Sequence, residues 1–386
     1  MKNVGKSLLK SAVLCVTAVA AALAAGCSRP DKCCGNSDSD AARQNAPQSP
    51  SVCATVKTDA SADVPDSAYN LKTSDLILRD PAVFADSATK KYYIQANSKI
   101  TKKNPARGEI ESGKALYCYE SKNLQNWRLV GKSFEAPADF WGKRDFWAPD
   151  MFKFGDKYYI IATFSCDREL EGKNYLKRSD PKAGKMKLRG CSVLVSDSPQ
   201  GPYKPLVNKP ITPENMMSLD GTLFEEDGKL YLLFSQEWIQ VGDGAMCAVE
   251  VSRDLKKAIG KPFLLFKAGD APWTNDARKP REIIVTDAPV AFRGDDGNLY
   301  MIWSSFRSDK AKDNYAMGLS RSDNGKLSGK WIHQPAPINS DGGGHAMIFK
   351  TFCGKTKISY HAPNSFPERV VIKNFKIENG RAVLSD

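Results

Sequence analysis

Short apolar runs recur along the chain: "KYYIQA" from Lys91, "KYYIIATF" from Lys157, "KLYLLFS" from Lys229, "NLYMIWS" from Asn298 and "KISYHA" from Lys357. Their length and their content of Tyr, Ile, Leu and Phe predict β-strands. Most follow a polar turn such as "FGD", "EEDG" or "GDDG", and before that turn lies another apolar run: "PAVF", "PDMFKF", "GTLF" or "PVAF". Each unit therefore opens with a hairpin. Beyond each hairpin the pattern continues into two more strands joined by a turn such as "SKN", "SRD" or "SDN". The units repeat at roughly 60–70 residues, and almost no stretch sustains the 3.6-residue period of a helix. Four strands repeated five times predict an all-β chain: a five-bladed β-propeller of four-stranded antiparallel blades over residues 71–386. A pair of β-sandwiches is the alternative.

The N-terminal part departs from this pattern. Residues 1–26 carry a basic start (Lys2, Lys6, Lys10), an apolar stretch from Ser11 to Ala25, and then Gly26 before Cys27. This is the layout of a signal peptide, and the apolar stretch is too short to span a bilayer comfortably. "LAAGC" resembles the lipobox of bacterial lipoproteins, in which Cys27 would be acylated; ordinary cleavage is the alternative. Residues 27–70 hold almost no large apolar side chains and are expected to form a disordered tether. Export to the bacterial cell envelope, with a lipid anchor in the membrane, is the expected location.

Cys33, Cys34 and Cys53 fall in the tether. The five later cysteines show no zinc-ligand spacing and read as buried thiols, with a Cys166–Cys191 bridge as the alternative. The net charge of +12 falls to +9 once Lys2, Lys6 and Lys10 leave with the leader. Much of the excess lies in loops such as "KRSDPKAGKMKLR", where no aromatic residue interleaves with the charges. This argues for a solvated loop and against a nucleic-acid partner.

In a propeller the innermost strands converge on one axial funnel. The five blade starts align as "LRDPAVF", "WAPDMFKF", "SLDGTLF", "VTDAPVAF" and "GGGHAMIF", which brings Asp80, Asp150, Asp220, Asp287 and His345 to equivalent positions. One Asp before a Pro is an ordinary turn residue. Four carboxylates converging on one funnel must shift each other's pKa values.

These motifs resemble glycoside hydrolase family 43, five-bladed propellers that cut arabinose- and xylose-containing polysaccharides. The resemblance implies an inverting glycosidase acting on α-L-arabinofuranosyl or β-D-xylosyl linkages of an oligo- or polysaccharide, which the leader would export. It assigns Asp80 as general base and Asp220 as the residue that tunes the acid. The general acid of the family is a Glu in a Thr-Glu-Gly-Pro motif, which here reads Thr286-Asp287-Ala288-Pro289. Asp287 is one methylene shorter, so its carboxyl reaches about 1 Å less far. Glu237, in "FSQEWIQVGDG", is the rival acid. A propeller that binds glycans but has lost hydrolysis is the alternative function.

Phe146, Trp147, Trp238 and Trp303 are candidate faces for a sugar ring, with space-filling between blades as the other reading. Asp150 is expected to support the site rather than react. His345 matches a family residue near the axis that holds water or, in some members, calcium; no cofactor is otherwise required. A monomer is expected.

Overall fold

The computed structural model describes residues 64–97, 114–178, 182–274, 283–309 and 314–386. The repeated units form five antiparallel sheets arranged as the blades of a five-bladed propeller. Blade 1 holds β2 (Val83–Asp86), β3 (Lys91–Ala96), β4 (Ala115–Ser121) and β5 (Asn126–Glu135), with β1 (Leu71–Lys72) paired outside β5. Blade 2 holds β6 (Arg144–Phe154), β7 (Lys157–Glu169), β8 (Lys187–Ser196) and β9 (Lys204–Pro205). Blade 3 holds β10 (Ser218–Glu226), β11 (Lys229–Gln236), β12 (Ala245–Val251) and β13 (Ala258–Lys267). Blade 4 holds β14 (Asp287–Arg293), β15 (Leu299–Phe306), β16 (Tyr315–Ser322) and β17 (Trp331–His333). Blade 5 holds β18 (Gly344–Lys350), β19 (Thr356–Ala362), β20 (Arg369–Glu378) and β21 (Arg381–Ser385). The single-turn helix α1 (Trp238–Val241) leaves the end of β11.

The second strand of each blade is apolar on both sides because both faces are covered by neighbouring blades. Alternate residues of β15 separate accordingly. Leu299, Met301 and Trp303 pack toward blade 3 with Leu233 and Met246, whereas Tyr300 and Ile302 pack toward blade 5 with Ile358 and Tyr360. Similar apolar clusters fill the other three interfaces. The ring closes between blades 5 and 1, where Phe349 and Val370 meet Val83 and Ile94. There Ser359 Oγ accepts from the Val83 N–H at 3.3 Å and donates to the Pro81 carbonyl at 2.7 Å.

The contacts of the propeller reach back into the stretch assigned to the tether. Tyr69 is buried and its hydroxyl donates to Glu120 Oε1 at 2.6 Å, while Lys122 Nζ donates to the Val64 carbonyl at 3.2 Å. A buried aromatic ring with a satisfied hydroxyl belongs to a core, so residues 64–70 are part of the packed domain. The signal peptide, Cys27, Cys33, Cys34 and Cys53 lie outside the described residues. Cys118, Cys191 and Cys247 are buried thiols as expected, whereas Cys166 is half-buried and forms no bridge with Cys191, and Cys353 is exposed.

Candidate active site

The funnel ends of the inner strands share one backbone device. Asp80, Ala148, Asp220, Ala288 and His345 all adopt the left-handed conformation, with φ of 54°, 47°, 57°, 53° and 57°. In blades 2 to 5 this residue sits inside a bulge of the inner strand, between Trp147 and Asp150, Leu219 and Thr222, Asp287 and Val290, and Gly344 and Met347. A bulge bends its strand and re-aims a side chain, which is why bulges collect beside active sites. Non-glycine residues take this conformation at a cost and keep it where the surroundings hold it.

The hold comes from the preceding blade. The Asp220 N–H donates to Thr163 Oγ1 at 2.9 Å, the His345 N–H to Ser304 Oγ at 2.9 Å, and the Asp80 N–H to His361 Nδ1 at 3.2 Å. In blade 4 the donor is the Ala288 N–H and the acceptor is a carboxylate, Asp220 Oδ2, at 3.0 Å.

This device corrects the register read from the sequence. Asp80, Asp220 and His345 do occupy one equivalent position. In blades 2 and 4 the equivalent residues are Ala148 and Ala288, so Asp287 lies one residue before the position and Asp150 two after it. Asp150 reaches sideways, where its Oδ2 accepts from Thr222 Oγ1 of blade 3 at 2.7 Å. Burial pushes its carboxyl up to about 6, against that hydrogen bond. Asp150 thus ties blades 2 and 3 together beneath the funnel, in the wall that also includes Asp80, Asp220 and His345. A roomier cavity of about 480 Å³, lined by Arg321, His333 and Arg381, carries none of these carboxyls.

Asp80 sits among nitrogen groups. Its Oδ1 lies 3.1 Å from His345 Nδ1, 3.3 Å from His361 Nδ1 and 4.0 Å from Arg79 Nε. Arg79 is held by the carbonyl and the side chain of Asn364, at 3.1 and 2.6 Å. Burial alone would push the Asp80 carboxyl up, but His345, His361 and Arg79 outweigh it and hold it well below the usual carboxylate range. Burial also pushes His345 down, to about 4, which favours a neutral imidazole beside Asp80. Arg79 and His361 went unremarked in the sequence, although Arg79 precedes Asp80 in "RDPAVF" and His361 stands in "KISYHA".

Asp287 has the opposite environment. Burial pushes its carboxyl up to about 7; the charges of Asp80 and Glu237 add to this, while Tyr315 and Arg79 oppose it. Its Oδ2 accepts from the Tyr315 hydroxyl at 2.8 Å. Tyr315 opens β16 and lies nearly parallel to the His361 ring at 5.9 Å; no sequence motif pointed to it. Asp220 is raised well above its usual range by burial and by the charges of Asp287 and Asp80, against the Ala288 N–H. The two neighbouring carboxyls thus both favour the protonated form relative to an ordinary carboxylate.

Glu237 is paired with an arginine. Arg189 Nη1 donates to Glu237 Oε1, Nη2 to Asp145 Oδ2 at 3.1 Å and Nε to Ser165 Oγ at 3.1 Å. Burial pushes the Glu237 carboxyl up and Arg189 opposes it. Arg189 ends the basic run read as a solvated loop, yet its side chain is only 12% exposed, because β8 carries it back over blade 2.

The four aromatic candidates separate. Phe146 is buried among Phe134, Phe140 and Phe164, the last at 4.8 Å edge-on. Trp303 is fully buried, 5.2 Å from both Phe266 and Trp273, and its Nε1 donates to Ser320 Oγ at 2.9 Å. Neither presents a face to a sugar. The alternation along β15 already places Trp303 with Leu299 and Met301. Trp303→Ala is expected to cost about 3–5 kcal/mol of stability in denaturant titration, with the KM of the remaining folded enzyme unchanged; a raised KM with unaltered stability would return Trp303 to the site. Trp147 and Trp238 are half-buried. Trp147 lies one residue before the left-handed position, as Asp287 does in blade 4, and Arg189 covers its ring at 4.4 Å.

Calcium takes six to eight oxygen ligands. Among the described residues no group of three or more His, Cys, Asp or Glu side chains is placed to hold an ion, and the Nδ1 of His345 is engaged by Asp80.

No curated protein matches the chain. Solved structures do. A Bacteroides thetaiotaomicron endo-arabinase is 41% identical, with 81% of this chain covering 99% of that one at a TM-score of 0.68. An endo-1,4-beta-xylanase from the same organism (23% identity, 81% and 96% coverage, TM-score 0.61) and a Lactobacillus brevis alpha-L-arabinofuranosidase (17%, 81% and 95%, 0.59) share the fold. The sequence matches the model for glycosyl hydrolases family 43 over residues 74–382. With five blades, a funnel of carboxyls and a match across nearly the whole propeller, the chain belongs to glycosyl hydrolase family 43.

Proposed function

We propose that this glycosidase cleaves α-L-arabinofuranosyl linkages of an arabinan-type polysaccharide with inversion, using Asp80 as general base and Asp287 as general acid. One observation carries the assignment of roles. The same funnel holds Asp80 ionised among His345, His361 and Arg79 and favours a proton on Asp287 near neutrality. Two carboxyls whose environments push their pKa values apart are the signature of an acid–base pair. Asp80 takes a proton from water as the oxygen attacks the anomeric carbon, and Asp287 gives its proton to the departing glycosidic oxygen. Asp80 is then protonated and Asp287 charged, and exchange with solvent restores both. During turnover the Tyr315 hydroxyl steadies the charged Asp287. The Ala288 N–H on Asp220 fixes the peptide that aims the acid. The reaction uses no cofactor.

The arabinan assignment rests on the similarity to the endo-arabinase. It is tested with aryl α-L-arabinofuranosides, β-D-xylosides and galactosides alongside arabinan and xylan. Arabinosyl substrates are expected to give the highest kcat/KM; preference for xylosides or galactosides would overturn the assignment of the sugar.

The proposal extends to location: a monomer exported to the cell envelope and anchored by acylated Cys27. The full chain is expected in the membrane fraction, whereas a truncated chain beginning at Val64 should be soluble and equally active, since every residue assigned to the reaction lies beyond it. One acyl chain anchors only marginally, so retention would depend on the several chains of a bacterial lipoprotein. Cys27→Ala protein that stays with the membrane would refute lipidation as the cause.

A further inference from the structure

Away from the funnel, a cavity of about 480 Å³ lies between the outer parts of blades 4 and 5. Such a volume accommodates a small organic ligand. One wall is the outer half of blade 4. Tyr300 and Leu319 pack toward blade 5, and Arg321, opposite Tyr300 in the register and two residues beyond Leu319, faces the same way. A second wall is the strap from Gln334 to Ile338, whose end N–H groups donate to the Leu319 and Met317 carbonyls at 3.0 and 2.7 Å. Pro335 and Pro337 stiffen that strap. The third wall is the turn between β20 and β21, where Gln334 Nε2 donates to the Gly380 carbonyl at 2.6 Å and Arg381 follows. Arg321 pairs with Tyr300, four residues along β15 from Ser304, the partner of Asp287. That spacing puts it about 13 Å down the blade from the acid.

Arg321 and Arg381 both line this cavity, and among the described residues neither guanidinium forms an ion pair or a hydrogen bond. The carboxylates of the adjoining turns are engaged elsewhere. Asp296 accepts from the Tyr300 hydroxyl at 2.7 Å and from Asn298 Nδ2 at 2.8 Å, and Glu378 pairs with Lys376 at 2.6 Å. His333 also lines the cavity but turns into blade 4: its Nδ1 shares a hydrogen bond with Ser320 Oγ at 2.8 Å, its ring meets Phe266 edge-on at 4.8 Å, and burial pushes its pKa down. The charge presented to the cavity is therefore that of two arginines. Uncompensated guanidiniums attract an anion, and the planar fork of each matches a carboxylate. The rest of the lining narrows the choice. Ile332, 45% exposed, and the two prolines offer apolar surface that a bare inorganic ion would leave uncovered. A sugar ring bearing a carboxylate covers both kinds of wall. Family membership brings the chain to polysaccharides, and its net charge of +12 favours acidic ones.

We propose that this cavity is a second carbohydrate site, in which Arg321 and Arg381 hold the carboxylate of a uronic-acid unit while Ile332, Pro335 and Pro337 pack against its ring. The site holds the enzyme on acidic stretches of a polysaccharide while the funnel acts on neutral sugars. It stands independently of the acid–base assignment.

The test is calorimetry of the full chain with tri-galacturonate, its methyl ester and neutral arabinotriose. The wild type is expected to bind the acid form at least about 10-fold more tightly than the ester or the neutral sugar, the scale of a hydrogen bond to a charged group. Arg321→Ala and Arg381→Ala should each weaken that binding by about 10–100-fold on the same scale, with kcat/KM on phenyl α-L-arabinofuranoside unchanged. The double variant Lys257→Ala, Lys261→Ala removes two charges at the edge of blade 3 and should bind as the wild type does. Equal binding of the ester, wild-type binding in both arginine variants, or an equal loss in the lysine variant would each overturn the site. Preference for phosphatidylglycerol vesicles over tri-galacturonate would also overturn it, by making the arginines a membrane contact. Because binding is read without turnover, a chain that cleaved no arabinoside would fail the function proposed above and not this site.

Discussion

Asp80→Asn protein is expected to fold and to bind its substrate while turnover falls by about 10²–10⁴-fold or more, the usual worth of a positioned general base. The fold should survive because Asn tolerates the left-handed conformation that Asp80 adopts at φ 54° about as readily as Asp does. The amide has the same shape as the carboxyl it replaces, so the packing against His345, whose Nδ1 lies 3.1 Å from Asp80 Oδ1, is kept. What the variant lacks is a group able to take the proton from water. Substrate affinity measured by calorimetry should change little while kcat collapses, and wild-type rates on a verified substrate would remove Asp80 from the mechanism. Proton NMR early in the wild-type reaction should show the inverted anomer first; initial retention would contradict a single displacement.

Asp287→Ala should give a loss that depends on the leaving group. Substrates with poor leaving groups are expected to slow by about 10²–10⁴-fold, and activated aryl glycosides much less, since a good leaving group departs without full protonation. The pH profile supplies a second reading. The acid works only while protonated, so wild-type kcat should fall as pH rises through about 7, where burial has pushed the Asp287 carboxyl. In Asp287→Ala that alkaline limb should vanish. Glu237→Gln should keep it and should show no dependence on the pKa of an aryl leaving group. A reversal of these two patterns would move the acid to blade 3.

The companion variant Asp287→Glu restores the side chain usual in the family. It is expected to lower the rate, because Asp287 is packed against Tyr315 and beside Asp220, and an extra methylene there costs about 1–3 kcal/mol of strain. A gain in rate would show instead that the funnel has room for the longer acid.

Much of this protein was legible before any fold was considered, and the limits have physical causes. The hairpin spacing predicted the blades, because a strand covered on both sides must be apolar throughout and must stop at polar turns. "RDPAVF", "SLDGTLF" and "VTDAPVAF" pointed to the funnel because each places a carboxyl where an inner strand begins. Phe146 and Trp303 were misjudged for one reason: an aromatic side chain near a functional motif looks the same in sequence whether it faces the funnel or a neighbouring blade. For Trp303 the two-residue alternation with Leu299 and Met301 carried the answer.

Sequence by itself determined the all-β class and the number of blades, since these follow from local patterning and residue chemistry. Only the tertiary structure decided what each carboxyl can do. Asp287 lies one residue before, and Asp150 two residues after, the left-handed position that Asp80, Asp220 and His345 occupy in their blades. Protonation depends on partners from other blades. Asp80 meets His345 and His361 of blade 5, and the Asp287–Ala288 peptide is held by Asp220 of blade 3. Glu237 meets Arg189 of blade 2, 48 residues away in the chain. Charge interactions are set by distance through space and by burial, and both quantities exist only once the ring has closed.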